Sequence, residues 1–449
     1  MANLLWPGDH RAGEVLTDRQ VAQTMARVER AWLAVLVESG LAPAIDVADS
    51  AAGSAADTAA REANWALSDD DVAALAVAAE NAGNPAVPLV AMLRERLPEP
   101  AATWLHRGLT SQDVVDTALM LCLRDAVAAV ESLLAQQVSA LLALMAQHRS
   151  TPMLARTLTQ PALTSTFGRR VAAWMTGVLD AADALTAAAG SLPVQAGGAA
   201  GTLAAVVELA RGRGLADPVA VAAEAANLLA DRLALRRSLP WHTSRRPITA
   251  LGDALTCCTD AWGRIARDVL ESARAEVGEL REPAAPGRGG SSTMPGKRNP
   301  VLSVLIRRAA IAAPPLAATL HLAAAAANEE RSDGAWHAEW DTLRTLVRRA
   351  LAAGAQAAEL LDGLEVDSAA MAANLAANLE RAGGIDAEQC AMAALTGSAP
   401  AVDYLGATGV IIDRVAARAR RYLAGRPADH TDESDHADES DHSEERSLP

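Results

Sequence analysis

The residues best suited to chemistry are concentrated in one short segment, residues 287–300, which reads GRGGSSTMPGKRNP. This density of Gly, Ser, Lys, Arg and Asn exceeds what a simple connection between helices needs and favours a functional loop. Lys297 and Asn299 can hold a carboxylate, and Pro300 is placed to begin a helix whose free N–H groups favour negative charge. Positive charge and N–H donors around Ser291 would stabilise its deprotonated form. The loop therefore predicts serine-assisted proton transfer on an anionic organic substrate.

A phosphate-binding loop is the other function that a glycine-rich segment with a lysine could serve. That motif needs four residues between its glycines and a Ser or Thr after the lysine. Here Gly290 and Gly296 enclose five residues, and Arg298 follows Lys297. The spacing excludes a nucleotide-triphosphate loop of this kind.

Metal and nucleic-acid chemistry are disfavoured by the rest of the composition. The four cysteines, Cys122, Cys257, Cys258 and Cys390, show no CxxC spacing and are predicted to be small core residues. No Cys/His/Asp/Glu cluster has ligand spacing, so no metal is expected. A formal net charge of -15 argues against a nucleic-acid partner.

The elements that must position this loop are predicted to be helices throughout. Hydrophobic residues make up 51% of the chain and aromatic residues only 3%, with alanine dominant, which favours helix over strand. Long helices are predicted over 109–151, over 247–280, and from Pro300 onward with a bend at Pro314 and Pro315. Helices of this length cannot bury their apolar faces alone, so a central bundle that associates with its own copies is expected.

The same patterns divide the chain into four predicted parts. An N-terminal helical domain covers 1–109, the central bundle with the catalytic loop 282–300 covers 110–355, and a C-terminal helical domain covers 356–426. The acidic segment 427–449 is expected to be a disordered tail. No window approaches eighteen strongly apolar residues and the N-terminus lacks a signal-peptide pattern, so a cytoplasmic protein without a membrane partner is predicted.

Three segments together resemble the conserved motifs of the fumarase/aspartase superfamily. The run SSTMPGKRNP matches its signature, GSSxMPxKxN, at all diagnostic positions. GLTSQDVVDTA at 108–118 and ARTLTQPALTSTFG at 155–168 match two further motifs in the order that the superfamily requires. The resemblance extends to about residue 425 and implies an all-α enzyme of three helical domains, assembled as a homotetramer whose active sites are shared between subunits.

Within the superfamily, several phrases resemble bacterial 3-carboxy-cis,cis-muconate cycloisomerases. They are LLWPGDHRAG, GNPAVPLV, AGGAAGTLA, LPWHTSRRP and GAWHAEW. Leu158 occupies the position where fumarases and amine lyases carry a histidine, and leucine cannot do proton chemistry. Cycloisomerases also lack that histidine. Pro161, Gly296 and the stretch 374–388 depart from the cycloisomerase pattern.

The resemblance implies a site in which Ser291 is the catalytic base. The residues expected to bind the substrate are Thr110, Ser111, Gln112, Arg156, Thr157, Gln160, Ser292, Met294, Lys297, Asn299 and Arg331. His242 and His337 are the candidates for a proton donor or an orienting group. The implied reaction interconverts 3-carboxy-cis,cis-muconate and a carboxymuconolactone in protocatechuate catabolism, by way of the β-ketoadipate pathway. The partner would be a small di- or tricarboxylate.

Two other functions remain open from the residues. One is another β-elimination lyase of the same fold, acting on a substituted succinate such as nitrosuccinate or adenylosuccinate, because Leu158 does not exclude an acidic leaving group. The other is a non-catalytic helical scaffold, against which the intact Ser291, Lys297 and Asn299 argue.

Overall fold

The computed structural model describes residues 3–45, 62–291, 293–294, 296–382, 384–398 and 404–425. Two predictions lie outside these ranges: the disordered tail over 427–449 and the binding role of Ser292. Within them the chain is a predominantly helical protein with fourteen α-helices and four short strands. The predicted all-α class is therefore confirmed.

Five long helices form the central bundle. They are α5 (Ser111–Gln147), α6 (Phe167–Ala189), α9 (Arg246–Ser272), α10 (Val301–Ala325) and α11 (Ala335–Asp362). Helix α9 packs along α10, α10 along α11, and α5 against both α6 and α11. The largest buried side chains include Trp32, Trp174 and Trp262, and Ala, Leu and Val fill most of the space between the helices. The predicted long helices are present: α5 begins two residues after and ends four residues before its predicted limits, α9 begins one residue before and ends eight residues before its predicted limits, and α10 begins directly after Pro300.

Smaller elements surround the bundle. The N-terminal helices are α1 (Asp18–Glu38), α2 (Asp69–Ala82), α3 (Ala86–Arg96) and α4 (Ala101–Trp104), preceded by a 3-10 turn at Asp9–Ala12. Helices α7 (Ala204–Gly212) and α8 (Pro218–Leu233) precede α9, and α12 (Ser368–Ala382), α13 (Gly384–Thr396) and α14 (Thr408–Leu423) follow α11. Because α11 is continuous across residues 355 and 356, the predicted domain limit there falls inside a helix. The domain limits themselves stay a prediction.

Two small antiparallel sheets were not anticipated by the sequence patterns. Strands β1 (Pro152–Thr157) and β2 (Gln160–Thr166) form a hairpin, and β3 (Leu280–Arg281) pairs with β4 (Glu365–Val366). The hairpin has a bulge between Leu154 and Arg156, which interrupts the alternation on which strand recognition depends.

The prediction that all four cysteines are core residues needs correction. Cys122 and Cys258 are buried as expected, but Cys257 and Cys390 are exposed and are not core residues. Helix α10 is long and apolar enough to cross a membrane by length and composition, with 33% of its most apolar window buried. Its many alanines make the helix apolar although they are not strongly hydrophobic. In this fold it packs between α9 and α11.

Candidate active site

The predicted site residues lie at two opposite ends of the helical bundle. Trp336, near the start of α11, donates to Asp116, close to Thr110. Glu359, near the end of the same helix, binds Arg288 in the loop 282–300 that carries Ser291, which we call the serine loop. These two positions on one helix are about 35 Å apart at 1.5 Å per residue. One chain therefore does not bring the three motifs together.

At the first end, Asp113 is the centre of a buried cluster. Thr110 precedes α5, and its backbone N–H donates to the Asp113 carboxylate at 2.9 Å. The same carboxylate accepts bonds from Gln195 Nε2 at 2.9 Å and from His242 Nε2 at 3.0 Å. The N–H groups of Gly197 and Gly198 complete the set at 3.0 and 2.9 Å. We call Thr110, Asp113, His242, Arg331 and the loop 195–201 the Thr110 cluster.

Beneath the Thr110 cluster lies a second buried network, centred on Arg245. Its guanidinium binds Asp116 at 2.7 Å and Glu339 at 2.6 Å, and all three side chains are almost fully buried. Burial raises the pKa of Glu339 despite its pairing with Arg245. For Arg245, burial alone would lower the pKa, but the two carboxylates outweigh it and raise the value. The network anchors the starts of α5, α9 and α11 to one another.

Gln112 belongs to this interior rather than to the surface. It is fully buried, and its amide donates to the His242 carbonyl at 2.8 Å and to Asp116 at 3.2 Å. A residue held in this way can support the Thr110 cluster through its hydrogen bonds. Because its side chain is fully buried, this arrangement leaves no opening through which it could contact a substrate as predicted.

The remaining candidates of this end differ in exposure. Arg331 is exposed and donates to the Thr110 hydroxyl and to the Ala199 carbonyl. Ser111 is partly exposed at the first turn of α5. His337 is exposed, its Nε2 lies 2.8 Å from the Gly83 carbonyl oxygen, and its ring packs against Trp336 and Trp340. Of the two histidine candidates, only His242 lies in the Thr110 cluster.

At the opposite end, the serine loop holds the Ser291 hydroxyl among backbone donors. Ser291 Oγ accepts bonds from the N–H of Thr293 at 3.3 Å and of Met294 at 3.1 Å. Asn299 donates through both its backbone N–H and its side-chain amide to the Gly289 carbonyl, which ties the two ends of the loop together. Gly289 must be glycine there, since a Cβ would lie 2.6 Å from the Asn299 carbonyl oxygen.

The surface beside this loop is a basic cavity of about 780 Å³. Lys297 and Asn299 line it together with Arg281 and Arg298. Lys297 is exposed and Met294 is 50% exposed. The cavity provides room and positive charge for an anionic ligand.

The start of α10 differs from the prediction that its free N–H groups would receive a substrate carboxylate. Glu282 occupies that position, accepting from the N–H of Leu302 at 3.0 Å and of Ser303 at 2.6 Å. A carboxylate from the chain itself therefore satisfies the first helical donors. In this structure, Glu282 anchors the end of the serine loop. The groups that remain for binding an anion are the side chains that line the cavity beside the loop.

The second motif forms the β1–β2 hairpin at this same end. Arg156 makes a bidentate ion pair with the fully buried Glu279, at 2.7 and 3.0 Å. Thr157 and Gln160 are exposed at the turn. Leu158 between them is 96% exposed and has a left-handed backbone, with a φ of 50°. The turn projects from the surface with no titratable side chain at position 158.

Several organising residues were missing from the sequence-based candidates. Asp113 lies inside the quoted motif TSQDVVDTA, and a polar residue three positions after a helix-capping threonine is the recognisable signal of a capping box. Arg245, Glu279 and Glu282 have no comparable local signal, because their partners are distant in sequence. Within the described ranges, no group of three His, Cys, Asp or Glu side chains is placed to hold a metal ion.

Comparison with known proteins places this arrangement in a family. A lyase family model matches residues 11–314. Nitrosuccinate lyase of Streptomyces davaonensis is 44% identical over 354 residues, covering 77% of this chain and 73% of the relative. The 3-carboxy-cis,cis-muconate cycloisomerase of Bradyrhizobium diazoefficiens is 40% identical over 367 residues, covering 80% and 75%.

Solved structures show the same relationship. The 3-carboxy-cis,cis-muconate lactonizing enzyme of Pseudomonas putida superimposes with a TM-score of 0.75 at 32% identity, over 92% of this chain and 97% of that one. A fumarate lyase of Mesorhizobium sp. BNC1 gives a TM-score of 0.71 at 25% identity, over 90% and 97%. With three sequence motifs, a long-helix bundle and these relatives in agreement, the chain belongs to the lyase family of the fumarase/aspartase superfamily.

Proposed function

We propose that the chain catalyses a reversible elimination beside a carboxylate, in which Ser291 moves the carbon-bound proton. The observation that carries this proposal is the pair of backbone N–H groups directed at Ser291 Oγ, because such donors stabilise a deprotonated oxygen. Lys297 and Arg298 on the same loop add positive charge to the cavity beside it.

The other candidate residues have roles that follow from charge and position. Removal of the proton leaves a dianionic carboxylate, and cationic and hydroxyl donors must stabilise it. Lys297 supplies such a donor from the serine loop, and Arg331, Thr110 and Ser111 supply others from the opposite end of the bundle. Arg156, Thr157 and Gln160 would present the second binding segment. Because the two ends are far apart in one chain, we propose that another copy completes each site, as in a homotetramer.

The first candidate reaction is the lactonising cycloisomerisation of 3-carboxy-cis,cis-muconate to a carboxymuconolactone. One substrate carboxylate adds to a double bond, and Ser291 delivers a proton to the carbon beside another carboxylate. The reverse reaction expels a carboxylate, which leaves as an anion. Leu158 supports this reading, because the hairpin carries no acid at that position. The pathway would be protocatechuate catabolism in the cytoplasm, with no cofactor required.

The second candidate is a lyase acting on a substituted succinate, of the nitrosuccinate type. The 44% identity to nitrosuccinate lyase favours it. Nitrite also leaves as an anion, so the same serine loop and the same Leu158 suit both reactions. A substrate panel of 3-carboxy-cis,cis-muconate, nitrosuccinate, argininosuccinate, adenylosuccinate and fumarate, assayed with the purified full chain, distinguishes them by kcat/KM.

Replacement of Ser291 by alanine tests the chemistry common to both candidates. S291A removes the base but little volume, so turnover on the preferred substrate should fall by ~10² to 10⁴ with a modest change in KM. Exchange of solvent deuterium into the substrate carbon should disappear as well. Lys297→Met should instead weaken binding and turnover together, because a carboxylate partner is used in both the ground and transition states.

The exposed Ser398, at the end of the described segment 384–398, provides a control, and S398A should behave as wild type. If S291A keeps near wild-type turnover and deuterium exchange, another residue moves the proton and the proposed mechanism is wrong.

A further inference from the structure

A cavity of about 240 Å³ lies between the N-terminal helices and the central bundle. Helices α1 and α2 form one side of it, and α5 and α11 form the other. Its apolar lining includes Val21 and Met25 of α1, Leu75 of α2, Val115 and Leu119 of α5, and Trp340 of α11. The volume exceeds the ~150 Å³ of an apolar cavity that accommodates benzene. The space therefore suits a small molecule with an apolar body.

One polar atom of this lining has no partner. The Nε1 of Trp340 is buried, yet its N–H donates to no group of the residues that the structure describes. The indole is held in place by Trp336 and His337, each with its ring centroid 4.7 Å from that of Trp340. A buried donor without a partner costs free energy, which an acceptor in the adjoining cavity would recover. The unpartnered indole therefore favours an occupant that carries a hydrogen-bond acceptor.

Water does not fit this space as well as an organic molecule does. A buried water needs about two to four polar partners. The polar side chains that line the cavity besides Trp340 are Asp18, Asp341 and Arg344, and these lie at its exposed mouth. The interior offers a water molecule a single donor. An organic acceptor would use the same donor and would also bury its apolar surface against the aliphatic side chains.

The lining also disfavours the carboxylates that the serine loop is proposed to bind. Arg344 is the cation among the described lining residues, and it is already paired with Asp18 at 2.8 Å. Asp341 adds a negative charge at the mouth. A carboxylate in the apolar interior would lose its hydration without gaining a cationic partner. The chemistry of the cavity therefore requires a neutral ligand.

We infer that this cavity is a binding site for a small neutral molecule with an apolar body and one acceptor, such as an aryl ketone, whose acceptor the Trp340 indole recognises. The site is separate from the proposed function in both place and ligand. Val115 lies one turn after Ser111 on α5, and Trp340 lies one turn after Trp336 on α11. An occupant thus packs α1 and α2 against the Thr110 end of the bundle, and the melting temperature rises with its concentration.

Two nearly isosteric probes test the role of the indole. Acetophenone carries a carbonyl oxygen where isopropenylbenzene carries a methylene group, and calorimetric titration of the full chain gives a Kd for each. The probes differ in hydrophobicity, so the informative quantity is the change in each Kd on Trp340→Phe, which removes the donor and keeps an aromatic ring. The Kd of the ketone should rise ~3- to 10-fold more than that of the hydrocarbon. If both values change equally, the indole does not recognise the acceptor and the proposal is overturned.

A cavity-filling variant locates the bound probes. Ala22 of α1 is buried and lines the cavity, so Ala22→Leu places a larger side chain in that space. Ala73 of α2 is exposed and provides the matched control. Ala22→Leu should lose the binding of both probes, and Ala73→Leu should keep the wild-type Kd values. Binding that survives in folded A22L would lie elsewhere and overturns the proposal. The comparison with Trp340→Phe remains decisive if A22L does not fold.

Competition with succinate separates this cavity from a carboxylate site. Succinate in excess should displace neither probe, because the cavity offers it no unpaired cation among the described residues. Displacement of either probe by succinate would place that probe in a site for anions. That result, or a wild-type chain that binds neither probe, overturns the proposal. None of these outcomes depends on whether Ser291 moves a proton.

Discussion

Buried charges hold the Thr110 end of the molecule together, and each is stable only because its partners are complete. Arg245 forms ion pairs with two carboxylates, and Asp113 accepts five hydrogen bonds. Removing one partner from such a network leaves an uncompensated charge in a low-dielectric interior, which costs far more than the intact pair contributes. None of these residues can therefore change conformation without leaving a buried partner unpaired, and this keeps the Thr110 end of the molecule in one arrangement.

His106, in the loop that leads to Thr110, makes stability depend on pH. Burial alone would lower the pKa of His106, but Glu29, 2.6 Å away and fully buried, outweighs it and raises the pKa above the ordinary 6.5. A raised pKa means that folding favours the protonated form. The stabilisation is present in full below pH 6.5 and is lost as the pH rises through the raised value.

The free energy of unfolding should therefore decrease as the pH rises from 6 across neutrality. His106→Asn, which keeps a donor at the Nδ1 position, should flatten this dependence and lower stability at pH 6 by about 1–3 kcal/mol. Denaturant unfolding at several pH values measures both effects. The exposed His10 is the control, since H10N should leave the wild-type slope. An unchanged slope in H106N would contradict this account.

At the scale of the elements, glycine determines how closely α9 and α10 approach. A Cβ on Gly263 of α9 would lie 2.4 Å from the Ala310 Cβ of α10, a distance at which one helix must move. Gly177 of α6 faces Ala261 with room for a Cβ at 3.7 Å. Both glycines lie inside a helix, so the loss of backbone entropy on folding is the same at the two positions. They differ in the space available for a side chain.

Replacement by alanine should therefore change the stability of the protein in opposite directions at the two glycines. Gly263→Ala should destabilise the protein by about 1–3 kcal/mol, because overpacking pushes α9 and α10 apart. Gly177→Ala should be neutral or stabilising by up to about 1 kcal/mol, since alanine is the better helix former. Thermal or denaturant unfolding of both variants measures the difference. Equal effects at the two positions would mean that α9 and α10 are not in the contact described.

At the scale of the whole molecule, the long helices hold the residues of the three motifs far apart within one chain. Helix α5 alone, with 37 residues, places Thr110 and the β1–β2 hairpin about 55 Å apart. Helices α9 and α11 likewise run from the Thr110 end to the serine-loop end. Under the proposed function, a complete site would combine the serine loop of one copy with the Thr110 cluster of another.

Mixing two inactive variants tests this arrangement. Ser291→Ala and Arg331→Ala, each expected to be inactive, should regain activity when they are dissociated and reassembled together. Random assortment would leave about a quarter of the sites with both wild-type residues. A chain carrying both substitutions, mixed with S291A, should stay inactive. If mixed oligomers of the single variants form and remain inactive, the two residues do not meet across subunits.

Local sequence was sufficient for the helices and for the identity of the motifs. The long helices predicted over 109–151, over 247–280 and from Pro300 onward depend on residues within a few positions of one another, so the pattern predicts them directly. The β1–β2 hairpin was missed because its bulge breaks the two-residue alternation. The exposed Cys257 and Cys390 were misassigned because composition does not specify which face of a helix is buried.

The sequence by itself determined the superfamily and the absence of histidine at position 158, since these are properties of residue type and spacing, and it indicated Ser291 as the residue for which we propose proton transfer. Only the tertiary structure decided which groups act together. Asp113 and His242 are 129 residues apart and meet through the ends of α5 and α9, Glu282 takes the helix start intended for substrate, and Gln112 points inward. Contacts of this separation depend on how the long helices pack, and no local pattern encodes that.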